Sequence, residues 1–320
     1  MKTNISLILI LCLLLGACKN GNASSQNKSE TSQDTIKAIK MPAIPQMMTA
    51  PEQRADFLAK HYWDNVNFAD TNYIHHPEVT EQAWADYCDL LNHVPLETAQ
   101  QAMRNVIDRT NVDKKVFTYI TDLADKYLYD PTSPMRRRRS SDLMRNEEFY
   151  IPVLEAMIAS PVLNETEKIR PQARLKLAQK NRIGTKALNF TYTLASGAQG
   201  SLYQLKAEYL LLFINNPGCQ ACTETIEGLK NAPIINQLLQ EKKLVLLSIY
   251  PDEELDEWKK HLSEFPNEWI NGYDKKFTIK EEQVYDLKAI PTLYLLDKDK
   301  TVLLKDATAP AIEAYLMQHQ

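Results

Sequence analysis

A continuous apolar run that leads directly into a Cys-x-x-Cys pair constrains this chain more than any other feature. Residues 209–214 read Tyr-Leu-Leu-Leu-Phe-Ile, which is typical of a central strand buried on both faces. After two asparagines, Pro217 and Gly218 form a turn, and Cys219 and Cys222 begin the next segment. The pattern predicts a strand, a tight turn and a helix that opens at the cysteines.

Strands and helices alternate around this point. After Gly184 the pattern predicts a β-hairpin followed by the order β-α-β-α-β-β-α. The elements predicted after the cysteine helix are a strand at residues 244–249, helices at 252–265 and 278–287, strands at 292–296 and 302–304, and a helix from Pro310. This order predicts an α/β fold with a central mixed sheet flanked by helices.

Residues 45–183 instead repeat apolar positions at three- and four-residue steps, which predicts an all-α domain. Thr80 with Glu81, and Asn164 with Glu167, resemble capping signals at helix N-termini. The chain should therefore contain two domains that differ in class, with the boundary between residues 183 and 184.

Several residues of the helical part could carry chemistry, and we give each a structural role. His75 and His76 are adjacent, so on a helix their side chains point about 100° apart, and we expect capping or packing instead of metal binding. Cys88 lies on an apolar helical face, where a buried inert thiol is expected. The four arginines at 136–139 could contact anionic lipid or peptide, but a solvated loop is the favoured interpretation.

Composition excludes several classes of function. The chain has 320 residues, 44% of them hydrophobic, and a net charge of -4, so it can form two real cores but has no excess of cations for nucleic acid. It has only 8 glycines and neither a GxGxxG motif nor a phosphate-binding P-loop. We expect no nucleic acid partner and no cofactor.

The N-terminus has the pattern of an export signal. Residues 5–15 are largely apolar but too short to span a bilayer core of about 30 Å. They end in Leu-Gly-Ala before Cys18, which resembles the lipobox of bacterial lipoproteins. The resemblance implies a signal peptide at residues 1–17 and acylation of Cys18, for example with palmitate; an ordinary signal peptide with a chance cysteine is the alternative.

Residues 18–44 follow as a polar, flexible tether. Lys19 after the acylated cysteine favours the outer membrane in bacteria that sort lipoproteins by this residue. We therefore expect the protein in the cell envelope, anchored by lipid in the outer membrane and facing the periplasm. A location on the opposite face of that membrane is the alternative.

The cysteine pair is best interpreted chemically. Cys12 would be removed with the signal peptide and Cys18 would carry the lipid, which leaves Cys88 and the pair. The exported chain therefore lacks the many cysteines of a disulfide-rich scaffold. Unpaired N–H groups and the positive end of the helix dipole would stabilise a thiolate on Cys219, which makes it the candidate nucleophile. Cys222, on the same helix face, could then resolve a mixed disulfide.

The segment Ala289-Ile290-Pro291-Thr292 precedes a predicted strand, where an X-Pro bond can be cis. Together with the strand, Cys-x-x-Cys and helix order, it resembles the thioredoxin fold, and residues 184–320 look closest to TlpA/ResA-like envelope thiol-disulfide oxidoreductases. The resemblance implies exchange with protein thiols and disulfides, a membrane thiol-reducing partner, and substrate binding by Pro291, Ile290 and Gly218. Residues 45–183 resemble a helical domain of unknown function that precedes redox modules in envelope lipoproteins.

The chain departs from this family in three places. Gly218 stands where the family usually has tryptophan, the pair encloses Gln-Ala without proline, and no carboxylate lies within residues 210–214, so Glu224 is the nearest acid. Two alternatives stay open. The pair could be half of a zinc site, which would need two more ligands, or a permanent disulfide in a non-catalytic lipoprotein whose helical domain binds a partner.

Overall fold

The computed structural model describes residues 38–131 and 147–319. The predicted signal peptide, the lipidation site Cys18, the tether up to residue 37 and the arginine run at 136–139 lie outside the described residues. Within the described ranges, no helix is both long enough and apolar enough to cross a membrane.

The N-terminal region is helical, as the spacing of its apolar residues predicts. Its α-helices are α1 (Pro51–His61), α2 (Pro77–Leu91), α3 (Leu96–Arg109), α4 (Lys114–Ala124), α5 (Glu147–Ala159) and α6 (Glu165–Ala178). In α3 the buried side chains recur at three- and four-residue steps, from Ala99 through Met103 to Val106. Large aromatic side chains, among them Trp84 and Phe117, fill the core between these helices.

One of the two predicted caps is confirmed. The Asn164 side chain accepts a hydrogen bond from the N–H of Glu167 at 3.0 Å, and the Glu167 carboxylate accepts one from the N–H of Asn164 at 2.8 Å. The prediction for Thr80 is wrong, because α2 begins at Pro77, which needs no N–H partner in the first turn. Thr80 lies inside the helix and donates its hydroxyl to the carbonyl of Tyr73 at 2.7 Å.

The C-terminal region is built on a seven-stranded sheet with the order β2-β1-β5-β4-β3-β6-β7. The strands are β1 (Thr191–Leu194), β2 (Gln199–Ser201), β3 (Tyr209–Ile214), β4 (Leu244–Tyr250), β5 (Ile270–Tyr273), β6 (Thr292–Asp297) and β7 (Val302–Lys305). The helices are α7 (Gln220–Lys230), α8 (Pro233–Gln240), α9 (Leu255–His261) and α10 (Ala309–Gln318). Strands β3, β4 and β5 are parallel, whereas the remaining pairings are antiparallel. The predicted mixed sheet is confirmed.

Strand β3 lies in the interior of the sheet, between β4 and β6, and both of its faces are apolar. Leu211 and Phe213 pack into one layer with α7, α8 and α10. Leu210, Leu212 and Ile214 pack into the layer on the opposite face, with side chains from the hairpin and from the segment before β6. Successive side chains of β3 point into one apolar layer or the other, so the strand has no polar face in the sequence.

The predicted helix at residues 278–287 is wrong, since the segment consists of turns and bends. Gln283 has a left-handed φ of 50°, which a continuous helix does not allow. The carbonyls of Gln283 and Val284 accept hydrogen bonds from the side chains of Lys180 and Asn181, both at the end of the helical region. These long-range bonds replace the helical ones.

Other differences concern short elements. Sequence reasoning missed β5, whose Asn271 and Gly272 are poor strand formers, and it missed α8, which begins at Pro233. The helix expected at 252–265 is reduced to α9 and a short 3-10 turn. In β5 the pairing with β4 and β1 decides the structure instead of local propensity.

Candidate functional site

The cysteine pair lies where β3 passes into α7. Pro217 and Gly218 turn the chain, and Gly218 has a φ of 70°, a left-handed conformation that glycine adopts without steric cost. Cys219 is the N-cap residue of α7, and its sulfur accepts a hydrogen bond from the N–H of Cys222 at 3.3 Å. The sulfur of Cys219 thus occupies the place where a side-chain oxygen caps other helices.

The two cysteines differ in exposure. Neither forms a disulfide, Cys219 is partly exposed and Cys222 is only 2% exposed. Burial, together with the hydrogen bond to Cys219, raises the pKa of Cys222 to about 12. A solvent molecule or substrate can reach Cys219, whereas Cys222 is a protonated thiol behind it.

The proline segment lies against this pair. Pairing of β3 with β6 places Ile214 opposite Thr292, so the end of β3 and the start of β6 lie side by side. The Ile290–Pro291 peptide bond is cis, and the thiol of Cys219 donates to the carbonyl oxygen of Ile290 at 3.8 Å. The structure thus brings the cysteine pair, Ile290 and Pro291 together, with Gly218 in the turn before the pair.

The residue directly after β3 is a buried amide, and β3 itself has no acid. Asn215 follows β3, is buried, and donates to the hydroxyl of Ser248 at 2.8 Å. Glu224, the nearest acid in sequence, accepts from the side chain of Gln220 at 3.0 Å on the exposed side of α7. Glu224 is therefore engaged away from Cys222.

Sequence reasoning missed the residues on the other side of Cys222. A void of about 10 Å³, enough for a single water, is lined by Cys222, His261 and Glu264. His261 Nδ1 is 2.6 Å from Glu264 and Nε2 is 3.1 Å from Glu257, and hydrogen bonds to these carboxylates raise the pKa of His261. The sequence signal that could have identified these residues is the spacing of His261, with Glu257 four residues before it and Glu264 three residues after it, as on one helix face.

A buried ion cluster lies behind the proline segment and joins the two regions. Lys288 Nζ is 2.7 Å from both Glu147 and Asp306 and 3.6 Å from Asp286, and Lys305 also pairs with Glu147. Burial by itself would lower the pKa of Lys288, but the carboxylates of Asp306, Glu147 and Asp286 outweigh it and raise the pKa. Glu147 begins α5, so the helical region contributes directly to the support of this segment.

Metal binding has no support in the part of the chain that the structure describes. No group of three or more histidine, cysteine or acidic residues there could hold a metal ion. His76 lies at the N-cap of α2 with its ring nitrogen Nδ1 3.0 Å from Glu78, and His75 ends a short 3-10 turn.

Two family models match different parts of the chain. Residues 17–181 match the family described as a domain of unknown function, DUF5106, and residues 207–302 match a family described as thioredoxin-like. No curated protein matches the chain.

Solved structures also match. A thioredoxin-like protein from Bacteroides caccae ATCC 43185 is 81% identical, with a TM-score of 0.84, and the match covers 89% of this chain and 100% of that chain. The C-terminal domain of a Bacteroides fragilis NCTC 9343 protein is 69% identical over 43% of this chain and 98% of that domain, with a TM-score of 0.42. A domain from Cytophaga hutchinsonii ATCC 33406, described as a possible thiol-disulfide isomerase, is 26% identical over 44% of this chain and 95% of that domain, with a TM-score of 0.38. The chain therefore belongs to the family with an N-terminal DUF5106 domain, and its C-terminal domain is thioredoxin-like.

Proposed function

We propose that this protein is a thiol-disulfide oxidoreductase that exchanges the dithiol of Cys219 and Cys222 with disulfides of exported proteins. The observation that carries the proposal is the placement of Cys219. It is partly exposed at the N-terminus of α7, its sulfur lies 3.8 Å from the carbonyl oxygen of Ile290, and Cys222 is buried behind it.

The first step is attack on the substrate. Cys219 reacts as the thiolate at the N-terminus of α7, where its sulfur accepts the N–H of Cys222 at 3.3 Å. This thiolate attacks one sulfur of the substrate disulfide, so a mixed disulfide forms and the other substrate sulfur leaves as a thiolate.

The second step releases the substrate. Cys222 loses its proton and attacks the sulfur of Cys219, which forms the Cys219–Cys222 disulfide and frees the second substrate thiolate. The substrate gains two electrons and the protein loses two, so a dithiol reductant must reduce the pair again. Because burial raises the pKa of Cys222, we expect removal of its proton to limit the rate of this step.

The substrate-binding residues in this proposal are Pro291, Ile290 and Gly218, which border the pair. Substrates are protein thiols and disulfides, and the reductant is a membrane thiol-reducing partner, as in the TlpA/ResA-like proteins. We further propose that acylated Cys18 anchors the protein in the outer membrane, with the body in the periplasm.

A second candidate is a non-catalytic lipoprotein in which the pair forms a structural disulfide and the helical domain binds a partner. It is favoured by the absence from β3 of a carboxylate, the buried proton acceptor that supports turnover in many thioredoxins.

Reduction of insulin by dithiothreitol separates the two candidates. We expect the wild-type protein to accelerate precipitation of insulin chains, Cys219→Ser to fall to the uncatalysed rate, and Cys88→Ser to behave as wild type. A wild-type rate equal to that of Cys219→Ser would contradict the oxidoreductase. A redox titration adds a second criterion, since a potential between about -270 and -120 mV fits exchange proteins and one below about -300 mV fits a structural disulfide.

A further inference from the structure

A cleft of about 510 Å³ lies between the helical domain and the segment that leads into Pro291. Tyr129, Pro131 and Leu177 line it from the helical side, and Leu287 and Ile290 line it from the thioredoxin-like side. We call it the interdomain cleft. Its volume falls in the range of about 300–1,000 Å³ that is usual for ligand sites.

The interdomain cleft reaches the reactive cysteine through Ile290. This residue lines the cleft, and its carbonyl oxygen is the acceptor for the thiol of Cys219 at 3.8 Å. The wall of the cleft and the contact of the reactive sulfur thus share one residue, Ile290.

Hydrogen bonds and an ion pair from the helical domain hold one wall of the interdomain cleft in place. Lys180 Nζ donates to the carbonyl of Gln283 at 2.7 Å, and Asn181 donates to the carbonyl of Val284 at 2.8 Å. The ion pair of Lys288 with Glu147 holds the end of the same segment. A segment without helix or strand is thus held in place before a ligand arrives, which lowers the entropic cost of binding.

The chemistry of the lining favours an apolar occupant. The cations that border the cleft are both paired, Lys280 with Asp252 and Lys288 with Glu147. The Tyr129 hydroxyl donates to Asp286 at 3.2 Å. An anion would have to compete with these carboxylates, whereas Leu177, Leu287 and Ile290 offer hydrocarbon surface.

We propose that the interdomain cleft binds apolar residues that flank the target cysteine of a polypeptide disulfide. The inference rests on the proposed function and deepens it, because it makes the DUF5106 domain part of the substrate-binding surface. Selectivity then depends on Leu177, on the last helix of that domain.

The test compares peptides that differ beside the cysteine. Two symmetrical cystine peptides are used as substrates, one with leucine and one with serine on each side of the cysteine, and bis(2-hydroxyethyl) disulfide serves as a small disulfide. We expect wild type to reduce the leucine peptide with a kcat/KM about tenfold above that of the serine peptide. Leu177→Asn should abolish this preference and leave the rate with the small disulfide unchanged.

Ile169→Asn is the matched control, since Ile169 is on the same helix but 61% exposed and outside the cleft lining. It should keep the wild-type preference. If Leu177→Asn does not fold, Leu177→Ala takes its place, with a smaller expected loss of preference.

The two proposals fail in different ways. Equal rates with both peptides in wild type, or a preference that persists in Leu177→Asn, would contradict the proposal that the cleft binds the flanking residues. The proposed disulfide reduction would be unaffected by either result. If wild type reduces none of the three disulfides, the oxidoreductase itself is overturned, and the cleft proposal with it.

Discussion

The DUF5106 domain and the thioredoxin-like domain each place a cysteine on a helix, with opposite results. Cys88 lies within α2 and is fully buried in the helical core, where burial raises the pKa of its thiol. Cys219 caps α7, is partly exposed, and receives a backbone N–H at its sulfur. The position along the helix, and not the residue type, separates a packing thiol from a candidate nucleophile.

The largest effect that we predict from this comparison is a difference in the alkylation rates of Cys219 and Cys88. Iodoacetamide should modify Cys219 in the folded protein at least about a thousandfold faster than Cys88, because Cys88 reacts only when the helical core opens. Peptide mass spectrometry at timed intervals measures both rates in one sample. Cys88→Ala should leave the labelling of Cys219 unchanged, and comparable rates at the two sites would contradict the comparison.

The ion pairs between the two domains also differ from those on the surface of the helical domain. Glu147 is 12% exposed and pairs with Lys288, which is 3% exposed, whereas Glu165 is 88% exposed in its pair with Lys168. Glu147→Ala should lower the free energy of unfolding by about 3 kcal/mol, since it removes the carboxylate paired with buried Lys305 and one of the carboxylates around buried Lys288. The control, Glu165→Ala, should cost less than about 0.5 kcal/mol.

Urea unfolding of both variants measures the difference. If Glu147→Ala were as mild as Glu165→Ala, the ion cluster would not hold the proline segment to the helical domain. Insulin reduction by the folded Glu147→Ala protein should also be slower, because Lys288 lies just before Ile290.

The burial of Cys222 predicts a pH dependence. Burial is the largest cause of its raised pKa and persists in a Cys219→Ser protein, so Cys222 remains a thiol there at neutral pH and its thiolate fraction rises with pH. We expect its alkylation rate to increase about tenfold per pH unit between about pH 8 and 10, whereas a free cysteine peptide levels off near its ordinary pKa of about 8.5. Circular dichroism confirms folding at each pH, and a plateau near pH 9 would contradict the burial argument.

The sequence was informative where one local signal was enough. The apolar run of β3, the turn at Gly218 and the spacing of the cysteines predicted the strand, the helix and the candidate pair. The Asn164 cap was likewise readable, because both partners lie within one turn.

Long-range bonds were not readable from local patterns. The segment before Pro291 looked helical, yet its carbonyls bond to Lys180 and Asn181, which are far away in sequence. The ion cluster of Lys288 and Glu147 was missed for the same reason. Tertiary contacts of this kind override local propensity, and they are also what links the two domains at the candidate site.

The smallest predicted effect compares one helix cap in each domain. In α6, Asn164 and Glu167 satisfy each other's backbone N–H groups. In α10 the hydroxyl of Thr308 accepts the N–H of Ala311 at 3.3 Å, but the alanine side chain cannot return a bond to the N–H of Thr308. Asn164→Ala should therefore cost about 1 kcal/mol of unfolding free energy and Thr308→Ala about half of that. Urea midpoints measure both, with Asn164→Ser as the variant that retains a cap. A larger cost for Thr308→Ala would mean that the reciprocal bonds of α6 add nothing to a single cap.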